Sequence, residues 1–272
     1  MTPYPYKISI TAADLIATLR SMEDARQRTN LLRFFKTGPG EYGEGDWFIG
    51  LKVPQVRLVV KEARLQVSLE EIGILLQSEW HEARLCGFLL LVEEMKAALP
   101  RSRNAPTKAV AETGKPEAVV RAERREEIAR FYLRHTRRAN NWDLVDMSCP
   151  KILGPWLLYP LPDGTLPDRS LLDRLAKSDC LWEQRIAIVT NWTLIRQDQY
   201  ADTLRIADRL LPHPHDLIRK AVGWMLREVG KRDRATLEAY LEAHVRDMSR
   251  TTLRYAIEKM SGPDRLYWMQ KG

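Results

Sequence analysis

Three aromatic–charged pairs carry the chemistry this sequence can offer. In Asn140-Asn141-Trp142-Asp143-Leu144-Val145-Asp146, Trp142 and Asp146 stand four residues apart. On a helix that spacing puts an indole and a carboxylate on one face, one turn from each other. Leu181-Trp182-Glu183-Gln184-Arg185 and Gly223-Trp224-Met225-Leu226-Arg227-Glu228 each place a Trp and an Arg at i and i+3, again on a shared face. Taken singly, a Trp at helical spacing belongs to a core and a charged helical residue to a solvated surface. Together, indoles, guanidiniums and one carboxylate suit a groove that holds a nucleotide against aromatic faces and clamps the phosphates beside it.

The charge balance points to the same kind of partner. Lys and Arg number 43 against 36 Asp and Glu, a formal excess of +7 that contains more Arg than Lys. A basic protein rich in Arg favours an anionic partner, nucleic acid first. Other classes are not supported. There is no Gly-x-Gly-x-x-Gly after a strand, no P-loop, no His-Glu-x-x-His and no zinc spacing, so neither a nucleotide cofactor nor a metal is expected. His213 and His215 read as turn residues before a helix. Cys86, Cys149 and Cys180 are too far apart for a disulfide framework and read as free thiols in a reducing cytoplasm. No apolar run is long enough to span a membrane, and the first residues lack the order of a signal peptide. A cytoplasmic monomer is expected.

These residues must be positioned by helices. Apolar residues recur at helical spacing almost throughout, and strand signals are scarce. Thr11 reads as a cap for a helix carrying Leu15, Leu19 and Met22, and Pro54 as the first turn of one carrying Val56, Val59 and Ala63. Further helices are expected over 68–77, 80–99, 121–137, 168–177, 181–195, 199–211, 215–230, 233–246 and 249–260. Two breaks interrupt the pattern: a Gly-rich loop at 37–46 and a basic insertion at about 100–120 carrying Arg101, Arg103, Lys108 and Lys115.

A short motif recurs: Arg84, Arg185, Lys220 and Arg254 are each followed by small and apolar residues, at spacings of 101, 35 and 34 residues. The last two spacings fit one helix pair per repeat. Such pairs bury their apolar faces only by stacking on neighbours. The expected fold is therefore all-α, an α-α superhelix of HEAT-like repeats in a single domain over 1–272, with a basic concave face. A non-repetitive helical bundle is the alternative.

At these residues the sequence resembles the AlkD-like DNA glycosylases, HEAT-repeat enzymes of alkylation repair. The resemblance covers nearly the whole chain and is carried by four ordered segments: Trp47–Pro54, Trp142–Asp146, Leu181–Ala187 and Ile218–Glu228. It implies hydrolysis of the N-glycosidic bond of purines alkylated at N3 or N7 in duplex DNA, without base flipping. By the same resemblance Asp146 is the catalytic carboxylate, and Trp142 and Trp224 are the tryptophans against the lesion's deoxyribose. Arg185 and Arg227 fall on backbone-contacting positions, and Phe34 on a further aromatic position of the cleft. A cationic alkylpurine leaves without a general acid, so a carboxylate and indole faces are a sufficient set. Two other readings stand beside it: a non-catalytic module for damaged or branched DNA, and a solenoid for an acidic protein partner.

Overall fold

The computed structural model describes residues 10–100 and 114–272. Fifteen α-helices and one 3-10 turn occur among the described residues, and no strand beyond an isolated bridge between Trp47 and Trp80. The helices are α1 (Ala12–Arg20), α2 (Ala25–Phe34), α3 (Val53–Ala63), α4 (Leu69–Gln77), α5 (His81–Ala98), α6 (Glu117–Arg134), α7 (Trp142–Trp156) and α8 (Ser170–Ala176). They continue with α9 (Leu181–Val189), α10 (Asn191–Ile195), α11 (Ala201–Leu210), α12 (Asp216–Gly230), α13 (Arg234–His244), α14 (Arg250–Ala256) and α15 (Gly262–Lys271). The all-helical architecture expected from the sequence is present, and helix pairs packed side by side fit the helical-repeat class. No described helix is long and apolar enough to cross a membrane.

The chain divides into two compact units. The first takes the described residues up to Ile152 together with Tyr159–Leu166, and the second takes Leu153–Leu158 and the chain from Pro167 onward. In the first unit α5 is the central element, packed by α3, α4 and α6. Its residues His81 to Val92 are all buried, as an apolar run flanked on several sides requires. At the start of the unit, the Thr11 hydroxyl accepts from Asp14 N–H at 3.2 Å while Asp14 accepts from Thr11 N–H at 3.1 Å. Such a capping box is worth about 1 kcal/mol.

In the second unit α12 is central, packed by α9, α13 and α14. Gly223 allows the close approach of α14, since a Cβ there would lie 2.5 Å from the Thr252 carbonyl oxygen. The recurring basic positions fall at the fourth or fifth residue of α5, α9, α12 and α14, so the short motif marks equivalent helices.

Several boundaries differ from expectation. The helix expected over 181–195 is broken at Thr190 into α9 and α10. Asn191 turns its side chain back to donate to the carbonyls of Ala187 and Ile188, at 2.8 and 3.2 Å. Helix α6 begins at Glu117, inside the span read as an insertion, and 101–113 of that insertion lie outside the described residues.

Helix α7 contains Pro150 and Pro155. Lacking an N–H, neither can donate to the carbonyl four residues earlier, that of Asp146 and of Lys151 respectively. A proline in a helix interior costs about 3 kcal/mol, so the packing of Leu144, Val145, Cys149, Ile152 and Leu153, all fully buried, must hold the helix together.

Candidate active site

The start of α7 is fixed by side chains rather than by propensity. Asn141 is wholly buried and caps the helix, its Oδ1 accepting from Trp142 N–H at 2.9 Å. Asp143 accepts from Leu144 N–H through Oδ1 at 2.9 Å, and its Oδ2 takes His81 Nε2–H at 2.9 Å. The other nitrogen of His81 reaches Asp46 at 3.1 Å. Asp46 also receives Arg84 and the amide of Asn140, the latter at 3.0 Å. Burial opposes a charge on His81, but Asp143 and Asp46 outweigh it and raise the imidazole to about 9. Burial likewise disfavours the Asp46 charge, yet His81 and Arg84 hold its carboxyl below the ordinary carboxylate range. A buried imidazolium between two carboxylates thus ties α5, the 43–50 segment and α7 together.

A third carboxylate locks the approach to α3. Glu82 accepts from three successive amides, Ile49 at 2.9 Å, Gly50 at 2.8 Å and Leu51 at 2.9 Å. Gly50 sits at φ +104°, and a Cβ there would lie 2.1 Å from the Asp24 carbonyl oxygen, so glycine is required.

This frame holds an open, mostly apolar cavity of about 440 Å³ in the first unit. Trp142 and Asp146 lie on its wall together with Phe34, Phe35, Phe48 and His81. Phe35 stacks on Trp142 with ring centroids 5.6 Å apart and on Phe48 at 5.2 Å, while Phe34 meets Trp142 edge-on at 5.9 Å. Phe48 in turn stacks on His81 at 4.5 Å. Phe34 is 61% exposed although it belongs to this aromatic cluster, so it faces solvent at the cavity's rim. Aromatic faces attract a cation, and the half-buried carboxyl of Asp146 lies beside them.

Of the sequence-identified residues, Phe34, Trp142 and Asp146 therefore meet at one cavity. Sequence reasoning passed over Phe35, Phe48 and the Asp46–His81–Asp143 chain. The available signal was polar residues at His81, Glu82 and Arg84 opening an otherwise apolar helix.

In the second unit Trp182 is buried and Trp224 half-buried. Arg185 is 5% exposed, and its Nη1 donates to the Leu217 carbonyl at 2.6 Å, fastening α9 to the start of α12. Arg84 in the first unit instead holds the approach to its own helix, donating at 2.9 Å to the carbonyls of Ser78 and Glu79. Arg227 is partly exposed and pairs with Glu258 and, at 3.5 Å, with Glu228. His215 caps α12 by accepting from Leu217 N–H at 3.2 Å, and His213 bonds Gln184 at 2.9 Å, so both act in the turn before that helix. Cys86 and Cys149 are buried, and burial pushes the Cys86 thiol up to about 12. No group of three His, Cys, Asp or Glu side chains among the described residues is placed to hold a metal ion.

Comparison with known proteins resolves what this geometry belongs to. A family model described as DNA alkylation repair enzyme matches residues 15–260. The chain belongs to that family. Among solved structures, it is similar to a predicted DNA alkylation repair enzyme from Enterococcus faecalis. The two share 15% sequence identity, with 88% of this chain and 97% of that chain covered and a TM-score of 0.60. At that identity the likeness establishes a common fold. No curated protein matches. The family match spans both units, so the DNA alkylation repair family is represented by the whole helical array and not by the cavity-bearing unit alone.

Proposed function

We propose that the protein is a monofunctional DNA glycosylase that hydrolyses the N-glycosidic bond of cationic N3- and N7-alkylpurines in double-stranded DNA. The observation that carries this reading is the juxtaposition of Asp146 with Trp142 and Phe34 on the wall of one open aromatic cavity.

In this reaction the bond between C1′ and the purine nitrogen breaks, and its electron pair neutralises the cationic base. The base therefore leaves without a proton donor. Positive charge passes to the sugar, where the Asp146 carboxylate and the Trp142 indole stabilise it in a fixed, partly desolvated frame. Water adds at C1′ and gives up its proton to Asp146. Trp142 is braced by Phe35 and Asp146 follows on the rigid start of α7, so the charge-stabilising groups need no reorganisation as the bond breaks. The cavity is open and Phe34 exposed, which suits a modified base that stays in the helix over a closed pocket around an extruded one.

In this reading Trp224, on the second unit, is a further indole for the DNA, and Arg227 holds the backbone by exchanging Glu258 for a phosphate. Arg185 acts through its bond to Leu217, keeping α12 in place for both.

The test is release of free 7-methylguanine from methylated duplex DNA by the wild type and Asp146→Asn. Release by the wild type that is lost in the variant supports the reading. Tight DNA binding with no release by either protein identifies a non-catalytic binding module instead.

A further inference from the structure

A second cavity, of about 170 Å³, lies in the first unit on the same helices that wall the aromatic one. Its lining continues the same helical stripes. On α3 the sequence of lining residues runs from Val53 and Pro54 to Arg57, Lys61 and Arg64; on α5 from Leu85 to Leu89, Glu93 and Lys96; on α7 from Met147 to Lys151. Successive members are three or four residues apart, the spacing of one helix face.

The charge here is unbalanced. Five cations, Arg57, Lys61, Arg64, Lys96 and Lys151, face one carboxylate, Glu93, and that carboxylate is taken by Lys96 at 2.5 Å. Among the described residues no acidic group lies within ion-pair distance of Arg57, Lys61, Arg64 or Lys151. Lys151 is half-buried at the floor. Burial first, then the charges of Arg57 and Lys96, lower its pKa, with only Glu93 acting the other way. Collecting like charges around a half-buried ammonium destabilises the free protein, and an anion in the cavity reverses that cost.

We propose that this cationic cavity is a seat for a phosphodiester of DNA whose damaged nucleotide occupies the aromatic cavity. The proposal rests on the glycosylase reading for what fills the neighbouring cavity. Lys151 stands about 6 Å beyond Met147 on α7, and Lys96 about 16 Å beyond Leu85 on α5, at the 1.5 Å rise of a helix. A strand passing over both cavities covers that span in about two to five nucleotides, at 3.4 Å of axis each. The volume admits a phosphate group. Arg57, Lys61 and Arg64 form a line along α3 rather than a closed ring, which fits a chain of phosphates better than a single free anion.

The test uses lesion-free duplex DNA, so that it does not depend on base release. Affinity is measured across a salt series for the wild type, Lys151→Ala, Arg57→Ala and a control, Arg130→Ala on α6, whose guanidinium already pairs with Glu126. Loss of one phosphate contact lowers the slope of log affinity against log salt by about 1, and affinity at moderate salt by about five- to tenfold. We expect that change in both cavity variants and none in the control. In the wild type, the rate of reductive methylation at Lys151 should fall several-fold when duplex DNA is added, a readout that needs no variant to fold. Unchanged slopes, or no protection of Lys151 by DNA, overturn the proposal, and protection by inorganic phosphate but not by DNA assigns the cavity to a free anion. Base release with unchanged slopes sinks this inference alone; changed slopes without base release sink the glycosylase reading and leave the phosphate seat standing.

Discussion

Asp146 is the fifth residue of α7, the place that Arg185 holds in α9, Lys220 in α12 and Arg254 in α14. Elsewhere this position ties the array together or meets solvent as a cation. Arg185 is buried on a carbonyl, Lys220 pairs with Asp216 at 2.7 Å, and Arg254 is exposed. In α7 alone among these helices the position bears a carboxylate, and it lines an aromatic cavity. The tryptophans diverge in parallel. Trp142 lies at a cavity wall, whereas Trp182 at the second residue of α9 is buried. A repeat supplies the scaffold, and one register position with its sign reversed brings a carboxylate to the cavity wall.

Neutralising Asp146 tests whether the reversed charge matters. Asp146→Asn should slow single-turnover base release by about 10²- to 10³-fold while DNA affinity stays within about twofold. A variant that binds poorly but reacts normally would make Asp146 one more surface charge. The paired tryptophans come next. Trp142→Ala should lower the release rate by about 10- to 100-fold at near-native melting temperature. Trp182→Ala should instead cost about 3–5 kcal/mol of stability and leave the rate per folded molecule unchanged. Reversal of those two outcomes in calorimetry and kinetics would place the working indole in the second unit.

The buried imidazolium separates the regions by pH. His81 is raised from 6.5 to about 9, so its contribution to stability is complete below about pH 6.5 and disappears as pH rises through about 9. The melting temperature of the wild type should therefore fall between pH 7 and 9.5, by about 2–4 °C for each kcal/mol lost. His81→Gln should start lower and lose this slope; a wild-type curve flat over that window would remove the charge from His81. The smallest effect is expected in the second unit. Glu258→Gln removes one of the two carboxylates that pair with Arg227 and should tighten binding to undamaged duplex DNA by about two- to fivefold, with no change in release rate.

Much of the scaffold was legible because it is local. The Thr11 cap, the Gly-rich break at 37–46, the stripes of α4 and α12 and the apolar run of α5 are set by residues within a few positions of one another. The pair Trp142 and Asp146 was legible for the same reason. Helix α2 was not, since it is dominated by Arg, Gln, Thr and Asn and none of its side chains is fully buried. Helix α15 was not expected either; it lies behind Ser261-Gly262-Pro263, where Ser261 caps the helix and Pro263 occupies its first turn. Helix α7 as a whole was obscured by its two prolines. The Asp46–His81–Asp143 chain joins residues 35 and 62 positions apart, a distance over which periodicity carries no information.

The grip of Glu82 on Ile49, Gly50 and Leu51 has one more consequence. Three consecutive amides aimed at one point form a concavity of the kind that collects sulfate or phosphate from solution. Here the chain fills it with a tethered carboxylate, whose local concentration no dissolved ion matches. Buffer anions therefore find that perch occupied.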